Sequence, residues 1–226
     1  MNKSIFYIIS FCLLTVFVLL ACKKEPIPKF HYEYFGLEAG RYVIYDVMEI
    51  DHDQALAKHD TTIYQLKTYW GQPYEDNLGR DAREFIRFRR DVTTDPWVLS
   101  DLWTGIIDGV RAELIEENQR VVKLVFAPSL SKVWDANAYS LDDEMECYYR
   151  DLHQDTTLNS HFLDSTLVVE QANYFNLIDT VRKYEVYQKG VGLVYKHFVD
   201  NHYQFASDEV VNGKEVYFTF VETGIE

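Results

Sequence analysis

An arginine cluster is the densest group of chemically capable side chains in this sequence. Five arginines fall within residues 80–90, in a chain whose formal net charge is -14. A guanidinium group offers a planar fork of donors that matches a carboxylate or a phosphate. Residues two apart share a strand face, so we expect Arg83, Arg87 and Arg89 on one side and Arg90 pointing away. The cluster therefore predicts either a strand face paired with nearby carboxylates or an anion site at these three arginines.

A second candidate site lies in the segment KVWDAN, residues 132–137. Trp134 next to Asp135 and Asn137 is a combination that stacks on a sugar ring and hydrogen-bonds its hydroxyl groups. The same three residues also suit a loop that packs onto a sheet. Loop packing is the preferred interpretation, and a glycan-binding set is its alternative.

Sequence signatures of catalysis are missing: there is no G-x-S-x-G, no H-E-x-x-H, no phosphate loop and no EF-hand loop. The segment DHDQALAKHD, residues 51–60, holds metal-type ligands, but without a recognised spacing. The acidic pairs at 116–117 and 142–143 would serve a glycan hydrolase only if folding set two carboxyl groups about 5–9 Å apart across a cleft. We therefore expect no catalytic residue, no metal and no cofactor, and we keep a glycan-acting hydrolase as the alternative function.

The N-terminal segment points to lipid anchoring. Residues 5–21 are almost wholly apolar and follow a single charge, Lys3. This run is short for a membrane-spanning helix of about 20 residues and is typical of a signal peptide. Leu19-Leu20-Ala21-Cys22 resembles the bacterial lipobox, in which the cysteine thiol receives diacylglycerol before the peptide is cleaved.

The lipobox resemblance implies a division of the chain into three parts. Residues 1–21 would be a lipoprotein signal peptide, residues 22–30 a lipid-anchored tether and residues 31–226 a single β domain. Two prolines and four charges in KKEPIPK suit a tether. Acyl chains such as palmitate on Cys22 would hold the protein to a bacterial envelope membrane, which we expect to be the outer membrane.

Charge and cysteine content restrict the partners further. A strongly acidic surface repels nucleic acid, so we expect no nucleic-acid partner. Cys12 would leave with the signal peptide and Cys22 would be acylated, so Cys147 would have no disulfide partner. Its alternation with Met145 and Tyr149 predicts a small buried side chain.

Period-two patterning dominates the rest of the chain and defines the elements that must position these residues. YVIYDVMEI, TTIYQLKTYW and EFIRFRR alternate as strands do, and AELIEENQRVVKLVF predicts a hairpin with its turn near 117–119. A further turn is predicted at Asp200-Asn201, and residues 51–60 and 127–144 read as the longest loops. The prediction is an all-β fold: a strongly curved antiparallel sheet, half-barrel or open barrel, of about ten strands.

Several segments resemble uncharacterised Bacteroidota outer-membrane-type lipoproteins. YEYFGLEAGRYVIYDV resembles their opening, KVWDAN their mid-chain Trp-Asp-Gly-Asn, VYQKGVGLVYK their Gly-Val-Gly-Leu-Val segment and NGKEVYFTFVETG their last strand. The resemblance implies a lipid-anchored, mostly β domain and carries no activity. Within the third segment, Gly190 and Gly192 are expected at positive φ in a bulge or tight bend.

The function expected from these features is a lipid-anchored envelope module for binding or scaffolding. Its ligand would be either an apolar, lipid-like molecule in the concave face or a glycan or protein partner on an aromatic surface. A deep apolar cavity would favour the first ligand class, and an exposed Trp/Tyr platform the second.

Overall fold

The structure is a computed structural model that describes residues 28–205 and 207–226. The expected signal peptide, Cys22 and most of the expected tether lie outside the described residues. Within the described part, no helix combines the length and the apolar character needed to cross a membrane. The described residues contain two short 3₁₀ turns, at Tyr32–Phe35 and Gln54–Leu56.

All other regular elements of the described residues are β-strands. They are β1 Arg41–Asp53, β2 Lys58–Glu75, β3 Asp81–Arg90, β4 Val98–Asp108, β5 Arg111–Glu116, β6 Gln119–Val125, β7 Val133–Asp135, β8 Glu146–Leu158, β9 His161–Phe175, β10 Asp179–Gln188, β11 Gly192–Tyr203 and β12 Val210–Ile225.

These strands form one antiparallel sheet that almost closes into a barrel. The strand order is β6-β5-β4-β3-β2-β1-β12-β11-β10-β9-β8-β7, so the first strand pairs with the last. Register shifts recur along the sheet, for example between Ile44 and Tyr45 and between Val186 and Tyr187. Such bulges bend strands and raise the local twist, which lets a sheet curl. The prediction of an all-β fold with a strongly curved antiparallel sheet, half-barrel or open barrel, is confirmed, and the described residues form twelve strands instead of about ten.

Hydrogen bonds join the edge strand β6 to the opposite edge of the sheet along a seam, where the partners are Trp134 of β7, Ala136 just after it and Tyr149 of β8. The amide of Val122 donates to the carbonyl oxygen of Ala136 at 2.8 Å. The Trp134 indole donates to the carbonyl oxygen of Val122 at 3.0 Å. The Tyr149 hydroxyl donates to the carbonyl of Val125 at 2.8 Å and accepts from its amide at 2.9 Å. These bonds satisfy backbone groups that an open sheet edge would leave unpaired.

One end of the barrel is closed by the 3₁₀ turn at Tyr32–Phe35. Tyr34 and Phe35 are buried there, and the Tyr34 hydroxyl lies 3.0 Å from Ser165 Oγ. Gly36 follows at φ 66°, and a Cβ on it would come within 2.3 Å of the carbonyl oxygen of Val191. Only glycine therefore lets this turn sit so close to the β10–β11 connection.

The packed core holds the predicted buried cysteine. Cys147 is 1% exposed and belongs to a cluster with Tyr149, Leu167 and Val169. Burial raises the pKa of its thiol to about 12. The prediction that Cys147 packs as a small buried side chain is confirmed.

Turn predictions had mixed outcomes. Positive φ at Gly190 and Gly192 is confirmed, at 76° and 104°, and the β5–β6 turn lies at 117–118 as predicted. The long loop predicted at 51–60 is wrong, because β1 and β2 continue through it and leave only Gln54 to Ala57 between them. The turn predicted at Asp200-Asn201 is also wrong, since both residues lie within β11.

Candidate ligand-binding cavity

A cavity of about 320 Å³ lies inside the barrel. Residues of β1 to β6 and of β10 to β12 line it, and Phe35 from the 3₁₀ turn lies at its closed end. A shallower groove shares Phe198 and Lys214 with it and reaches the rim at Asp51 and Asp53. The cavity therefore opens at the end of the barrel opposite the 3₁₀ turn. Its volume falls at the lower end of the ~300–1,000 Å³ range of small-molecule sites.

An aromatic wall forms the deep side of the cavity. The ring centroids of Trp70 and Phe85 lie 4.4 Å apart, and those of Phe85 and Trp103 lie 6.2 Å apart. Gly105 makes room for this wall, because a Cβ there would come within 2.3 Å of the Trp70 ring. Large aromatic faces of this kind give apolar ligand atoms extensive contact.

A buried charged network lies on the opposite side of the cavity. Lys123 Nζ on β6 donates to Glu185 Oε1 on β10 at 2.7 Å, and the Tyr187 hydroxyl donates to Glu185 Oε2 at 2.6 Å. Burial opposes ionisation of Glu185, yet Lys123 and the hydrogen bonds hold its pKa below the ordinary value. Burial likewise opposes the charge of Lys123, and Glu185 holds the pKa of that amine above its ordinary value.

Lys196 is the next cation along the cavity wall and has different surroundings. It forms no hydrogen bond or ion pair with any described residue, while its Nζ lies 5.4 Å from the Phe218 ring centroid and 5.9 Å from that of Phe198. Burial lowers the pKa of Lys196, and the field of Glu185 opposes part of that fall. The cavity thus contains a partly buried ammonium group beside apolar surface.

Comparisons with known proteins add a structural likeness only. No family model and no curated protein matches the sequence. Among solved structures, a Parabacteroides distasonis protein described as a lipoprotein matches with TM-score 0.43 and 10% identity, over 88% of this chain and 100% of its own. A Vibrio parahaemolyticus domain described as an outer membrane lipoprotein-sorting protein matches with TM-score 0.22 and 13% identity, over 83% and 86%. At such identities and TM-scores, neither likeness identifies a ligand.

The three predicted arginines each have a separate partner. Arg87 is the one that lines the cavity, and its guanidinium lies 4.2 Å from the Trp103 ring centroid. The partners are the Gly71 carbonyl for Arg83 at 3.2 Å, Asp101 for Arg87 at 3.2 Å and Asp91 for Arg89 at 2.9 Å. This arrangement accounts for the cluster as a paired strand face, and an anion site shared by all three stays a prediction.

The Trp-Asp-x-Asn segment is away from the cavity, at the barrel seam. Trp134 packs against Tyr149, with ring centroids 4.9 Å apart. The polar atoms are used in local bonds, from the Trp134 indole to Val122 O, from the Asn137 and Met145 amides to Asp135 Oδ1, and from Asn137 Nδ2 to Asp143 O. These bonds account for the segment as loop packing, and a glycan-binding role for it stays a prediction.

The acidic pairs considered for a hydrolase do not form a common cleft. Glu116 lines the cavity, whereas Glu117 is exposed in the next turn and accepts a bond from the Trp103 indole at 3.2 Å. Asp142 and Asp143 are exposed in the loop after β7. The chemically distinctive residues instead are ones that the sequence did not single out, Lys123, Glu185, Tyr187 and Lys196. For Lys123, Glu185 and Lys196, the sequence feature that could have identified them is a charged residue inside an otherwise apolar, alternating strand.

Proposed function

We propose that this chain is a lipid-anchored envelope protein that holds one small amphipathic, lipid-like molecule in its barrel cavity. The observation that carries the proposal is the cavity itself, about 320 Å³, with an aromatic wall, buried charges and one open end. An apolar wall with a few placed polar groups is the usual character of a small-molecule site. A glycan or protein partner on an outer aromatic surface has less support, because the polar atoms of the Trp134 segment already form local hydrogen bonds.

The volume of the cavity restricts the size of the ligand. If each heavy atom needs about the room of a water molecule, roughly 30 Å³, the cavity takes about ten heavy atoms. A single medium-length chain meets this limit, and the paired chains of a phospholipid exceed it. The molecule would enter at the open rim and place its apolar part against Trp70 and Phe85.

Filling the cavity provides the test of this function. Leu193 lines the cavity, and we expect Leu193→Trp to remove saturable binding of 1-octanol, because the larger side chain occupies the space of the ligand. Isothermal titration calorimetry on the mature chain (residues 22–226, carrying Cys22→Ser so that no acyl chain of its own competes) measures this. The matched control is Leu102→Trp on β4, where the side chain is 63% exposed. Octanol binding that survives Leu193→Trp, or that is absent from the parent chain, would contradict the proposal.

The anchoring half of the proposal rests on Leu19-Leu20-Ala21-Cys22. We expect Cys22→Ser to abolish incorporation of an alkynyl palmitate probe in cells, because the thiol is the acceptor of the lipid. Cys147→Ser is the matched control and should label like the parent chain, since Cys147 is buried and its thiol is protonated. Equal labelling of Cys22→Ser and the parent chain would show that the segment is not a lipobox.

A further inference from the structure

We propose that the ligand of the cavity is an anionic amphiphile, such as a medium-chain carboxylic acid, and that Lys196 Nζ binds its acidic head group. This inference rests on the proposed function, since it takes the barrel cavity as the ligand site. It adds the charge class of the ligand and the residue that recognises it.

The first argument is the pairing of the cations that line the cavity. Arg87 has Asp101 at 3.2 Å, and Lys123 has Glu185 at 2.7 Å. Lys214 is half exposed at the rim, with its Nζ 4.0 Å from Asp51. Among the described residues, Lys196 is the cavity cation without an ion pair. It is partly buried, and a charge withdrawn from water is costly unless a counter-charge is supplied.

The second argument is the position of Lys196 along the barrel. It pairs with Phe218, which pairs with Val47, so it lies at the middle level of the sheet. Trp70 and Phe85 lie deeper, towards the 3₁₀ turn. A chain that entered tail first would therefore lay its carbons on the aromatic wall and leave its head group near Lys196.

The third argument concerns the groups that surround the ammonium group. The Phe218 and Phe198 rings offer no hydrogen-bond acceptor of ordinary strength. Glu185 is the cross-strand partner of Lys196, but its two oxygens already accept from Lys123 and Tyr187. The Tyr45 hydroxyl already donates to the Leu193 carbonyl oxygen at 2.7 Å. An incoming carboxylate would thus supply the acceptor that Lys196 lacks, and charge-assisted bonds of this kind are the strong ones.

Glu116 defines the competing ligand class. It also lines the cavity, and its carboxylate forms no ion pair or hydrogen bond with the described residues. This carboxylate would therefore be available to bind a cationic head group. We favour the anionic ligand because Lys196 lies among apolar rings at mid-barrel, whereas Glu116 ends β5 beside the solvated turn at 117–118. The test must therefore compare both charges on the same chain length.

The experiment is calorimetric titration of the mature Cys22→Ser chain with octanoate, 1-octanol and octylamine near neutral pH. We expect octanoate to bind at least about tenfold more tightly than octanol, because a hydrogen bond to a charged group contributes about 1.5–3 kcal/mol. Lys196→Met should remove that preference, so that octanoate then binds no more tightly than octanol. Lys183→Met is the matched control, because Lys183 also lies over Phe198, at 4.4 Å, but is paired with Asp200 at 2.6 Å.

The outcomes separate this inference from the proposed function. Equal affinity for octanoate and octanol, or a preference that survives in folded Lys196→Met, would overturn the inference while the cavity stays a ligand site. Tighter binding of octylamine that is lost in Glu116→Gln would also overturn it, in favour of a cationic ligand. Failure of all three molecules to bind would overturn the proposed function itself. Thermal melting of each variant checks that it is folded, and Lys196→Met should melt at or above the parent temperature because it removes a partly buried charge that has no ion pair among the described residues.

Discussion

Glu185→Leu is expected to lower the free energy of unfolding by about 3–5 kcal/mol, because it leaves the buried ammonium group of Lys123 without its counter-charge. Glu185 is 1% exposed, and it accepts from Lys123 at 2.7 Å and from Tyr187 at 2.6 Å. For a chain of this length, each kcal/mol moves the melting temperature by about 2–4 °C, so a loss of roughly 10 °C is expected. Thermal melting followed by circular dichroism measures it.

A double variant provides the control for this prediction. Lys123→Met together with Glu185→Leu removes both charges, so it should recover most of the stability that the single change loses. Recovery would assign the loss to an unpaired charge and not to altered packing. A Glu185→Leu protein that melts at the parent temperature would contradict the network as described.

The pH dependence of the same pair has a defined sign. The pKa of Glu185 is lowered on folding from 4.5, so its contribution is present above pH 4.5 and is lost as pH falls through the lowered value. The pKa of Lys123 is raised from 10.5, so its contribution is present below pH 10.5 and is lost as pH rises through the raised value. The stability difference between the parent chain and the double variant should therefore be constant between those two pH values and decrease outside them.

The fold class followed from the sequence because strand alternation is a local signal. Inward and outward residues alternate with period two along β1 and β2, and turn residues mark most of the hairpins. The sequence did not predict β7, because three residues show too little alternation and the strand lies inside a predicted loop. The turn prediction at Asn201 failed because this residue is buried within a strand, where its Nδ2 donates to Glu215 Oε1 at 2.8 Å.

The cavity could not be predicted in the same way, because bulges change which residues face inward. Strict alternation would place Leu193 and Lys196 on opposite faces of β11. The register shift opposite Val186 and Tyr187 makes Val194 an extra residue, and both Leu193 and Lys196 then line the cavity. One inserted residue reverses the face of all that follow. The ion pair between Lys123 and Glu185 depends on the closure of the barrel, which joins residues far apart in the sequence.

Barrel closure is itself testable at the seam, where one hydroxyl group bonds both backbone groups of Val125, beside the two bonds at Val122. The Tyr149 hydroxyl donates to the Val125 carbonyl at 2.8 Å and accepts from the Val125 amide at 2.9 Å. Tyr149 is 2% exposed, and burial raises the pKa of its hydroxyl well above the ordinary value, so the group stays protonated and able to donate.

Tyr149→Phe is therefore expected to lower the free energy of unfolding by roughly 2–4 kcal/mol, because two backbone groups of Val125 lose their partner. Since Val125 is only partly buried, each group is taken at about 1–2 kcal/mol, the lower part of the usual range. The melting temperature should fall by about 5–15 °C. Amide hydrogen exchange at Val125 should accelerate more than exchange at Val47, which lies in the paired interior of the sheet.

Tyr148→Phe is the matched control for the seam, because the adjacent residue undergoes the same chemical change. Its side chain is 38% exposed, and its hydroxyl forms no hydrogen bond with the described residues. We expect Tyr148→Phe to melt close to the parent temperature and to leave exchange at Val125 unchanged. If the two variants lose the same stability, or if only regions away from the seam exchange faster in Tyr149→Phe, then this hydroxyl does not hold the barrel closed. If the seam does depend on this hydroxyl, its two bonds to Val125 help to set the shape of the cavity. Val125 is the last residue of β6, the strand that carries the cavity residue Lys123.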